Sequence, residues 1–273
     1  MYIGVDIGGT KTLIASLTDD GIIDEQIKFP TPENYDQFLT ELSNNFGTLK
    51  TNTYNAATVA APGSIDRMEG VARSFGNLPW SDVPIKRDTE IIFGCPVALE
   101  NDANLAGLSE AMLLKNTHQK VLYITISTGI GTGFIVNQKI DPSMADSEGG
   151  DLMIQRDGKL VKWETFASGK AIFNHYEKRA EDITDPEIWK LIAEDLCVGF
   201  LDLIAVTQPD VIVVGGGVGT YLDRFHDFLV ADMKQYENPL LQIPPVQKAV
   251  RPEEAVIYGC YELARELYGR TSR

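Results

Sequence analysis

The sequence has 273 residues, 44% hydrophobic and 23% charged, an ordinary globular composition with enough apolar material for two modest cores or one large one. Acidic side chains outnumber basic ones, 39 to 24, and a net charge of -15 repels nucleic-acid phosphates and anionic membrane faces, so neither is an expected partner. No stretch approaches the roughly 18 uncharged apolar residues of a membrane span, and Cys95, Cys197 and Cys260, without CxxC or zinc-ligand spacing, are expected to be buried, reduced thiols.

Tyr2–Asp6 and Leu13–Leu17 are short apolar runs around Gly8-Gly9-Thr10-Lys11, which predicts two strands joined by a tight turn. The opening residues show no basic segment, apolar stretch and cleavage site in series, so a cytoplasmic location is expected. The spacing predicts a helix over 34–46, a strand over 55–60 and a loop-rich passage over 62–84, punctuated by Gly and Pro. Polar Asn101-Asp102 ahead of Ala103–Leu114 reads as the start of a helix. Val121–Ser127 and Gly133–Val136 flank Thr128-Gly129-Ile130-Gly131-Thr132, repeating the strand, small turn, strand plan and pointing to two related halves. Helices are predicted over 169–180 and 187–208, a strand over 210–214 running into Gly215-Gly216-Gly217, and a last helix over 255–268. The polar stretch 115–120 marks the domain division, giving 1–115 and 116–273, with the last helix able to pack back on the first domain. Arg270–Arg273 are expected to be loosely held.

A nucleotide phosphate needs closely approaching backbone N–H groups, hydroxyls and a cation, and Gly8, Gly9, Thr10, Lys11 and Thr12 supply all three. The order is not GxxxxGK[ST] and a strand follows the loop, so this is not a P-loop, and Gly215–Gly219 lacks GxGxxG spacing. By spacing alone Asp102 reads as a helix cap, Asp6 as an acceptor for turn N–H groups, Asn77 as a turn residue, Glu164 as a solvated helix-start acid and Trp80 as a packing residue.

Together, Asp6-Ile7-Gly8-Gly9-Thr10-Lys11, Ala61-Pro62-Gly63-Ser64-Ile65-Asp66, Gly76-Asn77-Leu78-Pro79-Trp80, Glu100-Asn101-Asp102-Ala103-Asn104, Ile126–Gly133, Ala167-Ser168-Gly169 and Pro209–Gly217 resemble, in order, the landmarks of the ROK family of sugar kinases and repressors. The resemblance implies a duplicated α/β fold of the actin-like, hexokinase-like (ribonuclease H-like) kind, with two domains flanking a cleft that closes on ATP and sugar and excludes water. It implies ATP-dependent, glucokinase-like phosphorylation of a hexose or hexose derivative, with Asp102 as general base. By the same resemblance Gly63, Asn77, Asn101, Glu148, Asp151 and Glu164 meet the sugar. Gly8 to Thr12 and Thr128, Gly129, Gly131 and Thr132 hold the ATP phosphates, Gly216 and Gly217 lie near the adenosine, and Asp6 orients Mg²⁺ through water. A homodimer is implied as well.

Two departures qualify the resemblance. Glu148-Gly149-Gly150-Asp151 stands where many members carry Glu-x-Gly-His, and the residues up to Glu164 lack the Cys-rich zinc segment, so no structural zinc is expected and packing must hold this lobe. Asp151 accepts a hydroxyl proton but cannot act as donor and acceptor as imidazole does, so the preferred sugar or anomer is expected to differ from glucose. The alternative is a catalytically weak sugar-binding or regulatory member. A repressor is not expected, because those members carry a helix-turn-helix ahead of the kinase-like body while this sequence opens at the first phosphate strand and is acidic.

Overall fold

Strand β1 (Tyr2–Ile7) turns at Gly8-Gly9-Thr10 into antiparallel β2 (Lys11–Leu17), which pairs with β3 (Ile23–Pro30). Helix α1 (Tyr35–Phe46) starts where the Asn34 side chain accepts the Gln37 N–H at 2.9 Å. It leads to β4 (Ala56–Ala61), parallel to β1 and buried along its whole length, as expected of a strand covered on both faces. The passage expected to be loop is instead a meander of β5 (Ile65–Asp66), β6 (Val71–Phe75) and β7 (Leu78–Val83). Its strands are too short and too interrupted by turn residues to show a period, yet Ala72, Phe75, Leu78, Trp80 and Val83 all turn inward. Helix α2 (Ile85–Phe93) stops at left-handed Gly94, φ 65°, and is followed by β8 (Val97–Asn101), parallel to β4, and α3 (Asp102–Leu113).

The plan then repeats. Strand β9 (Lys120–Ile126) turns into antiparallel β10 (Ile130–Val136) and β11 (Lys139–Ile140), and a small hairpin follows, β12 (Met153–Arg156) and β13 (Lys159–Lys162). Three helices come next: α4 (Glu164–Ala167), α5 (Gly169–Tyr176), ended by left-handed Glu177 short of the expected 180, and α6 (Pro186–Thr207), capped by Asp185. Strand β14 (Val211–Gly215) lies parallel to β9, then come α7 (Gly216–Gly219), α8 (His226–Lys234), parallel strand β15 (Val246–Lys248) and α9 (Ala255–Tyr268). The two five-stranded sheets, β3-β2-β1-β4-β8 and β11-β10-β9-β14-β15, share one topology.

This computed structural model describes residues 1–51, 53–251 and 254–269; the expectation for 270–273 lies outside them. The chain divides into two units, Met1–Ser109 with Glu254–Arg273, and Glu110–Glu253. In the first, Ile3, Val5, Phe38, Leu42 and Trp80 share a core, and α9 lays Ile257, Tyr261 and Ala264 on Tyr2, Ala15 and Leu17. In the second, Trp163, Trp189, Phe200 and Phe225 fill the space between β9, β14 and the helices. All three cysteines are free and buried, and no helix among the described residues is long and apolar enough to cross a membrane.

Candidate functional site

The first turn is shaped by glycine. Gly8 N–H donates to the Lys11 carbonyl at 3.0 Å, and a Cβ on Gly8 would stand 2.8 Å from that oxygen. Thr31 clamps the turn from β3's end, its hydroxyl donating to the Gly8 carbonyl at 2.8 Å and its N–H to the Thr10 carbonyl at 3.0 Å. Gly9, Thr10 and Lys11 are left exposed. Thr12 is different from the expectation: its side chain is fully buried and its hydroxyl bonds Thr31 at 2.9 Å, so the strand's alternation turns it inward as part of the clamp. Asn77, on the β6–β7 turn, comes beside this loop; a Cβ on Gly9 would be 2.9 Å from Asn77 Cβ. Gly63, at φ +88°, is demanded by the protein itself, since a Cβ there would lie 2.5 Å from the Ser74 carbonyl.

Asp102 opens α3, but the cap is its neighbour. Asn101 Oδ1 accepts the N–H groups of Ala103 at 2.8 Å and Asn104 at 3.3 Å, while Asp102 Oδ1 also accepts from Ala103 at 2.8 Å. Asp102 therefore stands in the first turn with its carboxylate held by backbone N–H groups, that of Ala103 at 2.8 Å. Burial raises its pKa, partly offset by the hydrogen bonds from the Ala103 N–H and its own N–H. Asp6, at the end of β1, is close enough to feel it: burial and then the Asp102 charge push Asp6 up to about 7, with Lys28 opposing. Two carboxylates sharing a part-buried place with so little positive charge form an unfavourable pair that a divalent cation would relieve, so these residues fit Mg²⁺. Among the described residues no group of three or more His, Cys, Asp or Glu stands together as a metal site.

In the second unit the loops of 129, 150 and 164 meet. Glu164, at the head of α4, accepts the Ile130 N–H at 3.3 Å; a Cβ on Gly129 would be 2.7 Å from its Oε2, and one on Gly150 2.3 Å from the Ile130 carbonyl. Thr128, Gly129 and Gly131 remain on or near the surface of this turn. Thr132 does not; its buried hydroxyl accepts the Gly149 N–H at 3.1 Å and so ties β10 to the Glu148–Asp151 loop. Asp151 Oδ1 pairs with Lys162 Nζ at 2.7 Å, half exposed, and this contact is the first cause of the raised Lys162 pKa. In place of a Cys-rich segment, the β12–β13 hairpin is anchored by buried Ile154, by Trp163 with its indole N–H on the Asp195 carbonyl at 3.1 Å, and by Arg156 over the Phe166 ring at 4.4 Å.

Beside the second turn lies a cavity of about 670 Å³ whose walls include Thr128, Gly217, Lys170, Phe173, Arg179 and Tyr221. Gly217 has open space around it, whereas Gly216, φ +80°, is needed because a Cβ would meet the Ile126 carbonyl at 2.5 Å. Lys170, Phe173, Arg179 and Tyr221 escaped the sequence reading because no local pattern marks them; only the packing of α5, the 180–182 turn and α7 on β9 gathers them. Arg224 braces this wall, donating to the Ile183 carbonyl at 2.6 Å with its guanidinium 4.6 Å over Tyr221.

The model of the ROK family matches residues 2–266. Glucokinase of Streptomyces coelicolor is 27% identical, over 97% of this chain and 98% of that protein. N-acetyl-D-glucosamine kinase of Haemophilus influenzae is 26% identical, over 96% and 99%. The crystal structure of a ROK family glucokinase from Streptomyces griseus, in complex with glucose and AMPPNP, superposes with a TM-score of 0.81 at 24% identity, over 97% of this chain and 99% of that one. The fold is shared across both units.

Proposed function

The chain belongs to the ROK family, and from that premise we propose that it is an ATP-dependent kinase of a hexose or hexose derivative in which Asp102 takes the proton of the attacking hydroxyl. The observation that carries this is the part-buried Asp102 carboxylate, fixed in the first turn of a capped helix beside Asp6. Burial that raises its pKa makes it a better proton acceptor for the hydroxyl, with the Ala103 N–H holding its Oδ1 in place. As the sugar oxygen bonds to the terminal phosphorus and the bond to the leaving diphosphate breaks, that oxygen loses basicity and its proton passes to Asp102. Asp6 would hold Mg²⁺ through water, and the cation would neutralise charge on the transferring group.

Asn77, with its exposed amide beside the first turn, and Asn101, whose Oδ1 is taken by the cap and whose NH₂ is left to donate, are assigned to sugar hydroxyls, with Glu164, Glu148 and Asp151 as further acceptors and Gly63 shaping the loop. The exposed Gly9, Thr10 and Lys11 and the Thr128–Gly131 turn are assigned to phosphates, and the nucleotide to the cavity beside Gly217. We assign the protein to the cytoplasm, as a homodimer, with its hairpin lobe stable without zinc.

Coupled ADP release with Mg-ATP against glucose, mannose, fructose, allose, N-acetylglucosamine and N-acetylmannosamine tests the activity. One strong acceptor is expected; no release above the ATPase background with any sugar leaves the weak sugar-binding alternative. Asp102→Asn should lower kcat about 10²–10⁴-fold while ATP still raises Tm, and near-parent turnover would sink the base assignment.

A further inference from the structure

Two residues before Asp102 stands a carboxylate that the proposed chemistry does not use. Glu100, at the end of β8, is 5% exposed, and it gathers four donors. Arg67 binds it as a fork, Nε to Oε2 at 2.8 Å and Nη2 to Oε1 at 2.5 Å; Asn101 N–H and Asn104 Nδ2 also donate to Oε1, at 2.8 and 3.0 Å. Burying an ion pair is weak evidence for stability, because desolvation cancels much of the attraction and an apolar pair does as well. The helix does not need it either, since Asn101 already caps the first amides of α3.

What the carboxylate does touch is informative. Its last two donors lie on either side of Asp102, the peptide N–H before it and the side chain of Asn104 after it, so Oε1 spans the turn that carries Asp102. Arg67 comes from the β5–β6 turn, and the same meander carries Asn77 beside Gly9. A rigid, bidentate bridge therefore joins the element that presents Asn77 to the junction that presents Asp102.

Resting on the reading of Asp102 as base, we infer that Glu100, locked by Arg67, is a positioning residue that fixes Asp102 relative to Asn77. The Arg67–Glu100 bridge sets where the carboxylate stands when the hydroxyl arrives. Displacements of an ångström in such groups are enough to cost on the order of 100-fold in rate.

The test uses the fastest acceptor of the sugar panel and four variants: Arg67→Lys, which keeps the charge but not the fork; Glu100→Gln; the double Arg67→Met/Glu100→Gln, which removes both charges of the bridge and keeps an acceptor for Asn101 and Asn104; and Asp102→Asn. For Arg67→Lys and the double variant, kcat per ATP-binding site is expected to fall roughly tenfold or more, with KM for ATP within about twofold. Glu100→Gln alone, which removes the charge that Arg67's fork grips, should lose Tm as well, and the double variant should recover at least part of that Tm without recovering kcat. In the Asp102→Asn background Arg67→Lys should have no further effect, because there is no base left to misplace. If kcat returns with Tm in the double variant, or is parent-like in both it and Arg67→Lys, the bridge is structural and the inference fails. Near-parent turnover in Asp102→Asn removes the base reading, and this inference with it; loss there with parent-like kcat in the bridge variants removes the inference alone.

Discussion

Asp6 is predicted to cost the fold stability that its function requires, and Asp6→Asn measures the cost. Its carboxyl rises from 3.8 to about 7 through burial first and the Asp102 charge second. At about 1.4 kcal/mol for each tenfold change in proton affinity, that span corresponds to about 4 kcal/mol. The folded carboxyl holds its proton more tightly than the unfolded one, so its contribution is full below pH 3.8 and is lost as the pH rises to about 7. Asparagine has the shape without the charge, but its NH₂ needs a partner, which leaves an expected net gain of about 1–3 kcal/mol at pH 8. Urea unfolding of both proteins in EDTA, at half-unit steps from pH 4 to 8, isolates this group from the other carboxylates by difference. The variant's advantage should be small near pH 4, grow to about pH 7 and then level off. Adding Mg²⁺ at pH 8 should stabilise the parent and not the variant, while turnover of the variant is lost. A difference that stays flat between pH 5 and 8, or a variant less stable than the parent at pH 8, would refute the reasoning.

The cavity wall, the Glu164 contact and the Asp151 pair give three more tests. Arg224→Met removes the brace on Ile183 and Tyr221; about 1 kcal/mol of lost order should raise KM for ATP about fivefold with kcat little changed, measured at saturating sugar. Gly150→Ala drives a Cβ to 2.3 Å from the Ile130 carbonyl and 3.3 Å from Glu164 Oε2; it should cost about 1–3 kcal/mol in urea unfolding and raise KM for the sugar more than for ATP. Lys162→Met strips an exposed ion pair from Asp151 and should change stability by less than about 1 kcal/mol, yet alter the ranking of sugars in the ADP-release panel. An unchanged ranking would place Asp151 among solvated loop residues.

Much of this protein is legible in its sequence because the signals are local. The two Gly/Thr turns between apolar runs, the repeated plan of the halves, the start of α3 and the last helix all follow from spacings of a few residues, and the structure keeps them, at 2–17, 120–136, 102–113 and 255–268. The meander over 65–83 was not legible, since its strands are two to six residues long and gain their order from pairing and inward packing, not from their own periodicity. Nor was the direction of individual side chains: Thr10 and Thr12 lie in one motif, yet the turn leaves Thr10 exposed while strand β2 buries Thr12 against Thr31.

The sequence by itself determined the family, the duplicated topology and the identity of the polar groups, because these depend on residue types in order and at short range. Only the tertiary structure decided which of those groups are free to act. Thr132 was spent on holding a loop and the Asn101 Oδ1, though not its NH₂, on capping a helix, while Lys170, Phe173, Arg179 and Tyr221 were drawn into one cavity. Arg67 found Glu100 across 33 residues. The physical reason is that hydrogen bonds and burial reward contacts in space, and a polar side chain becomes a site or a strut according to which partner the fold brings to it.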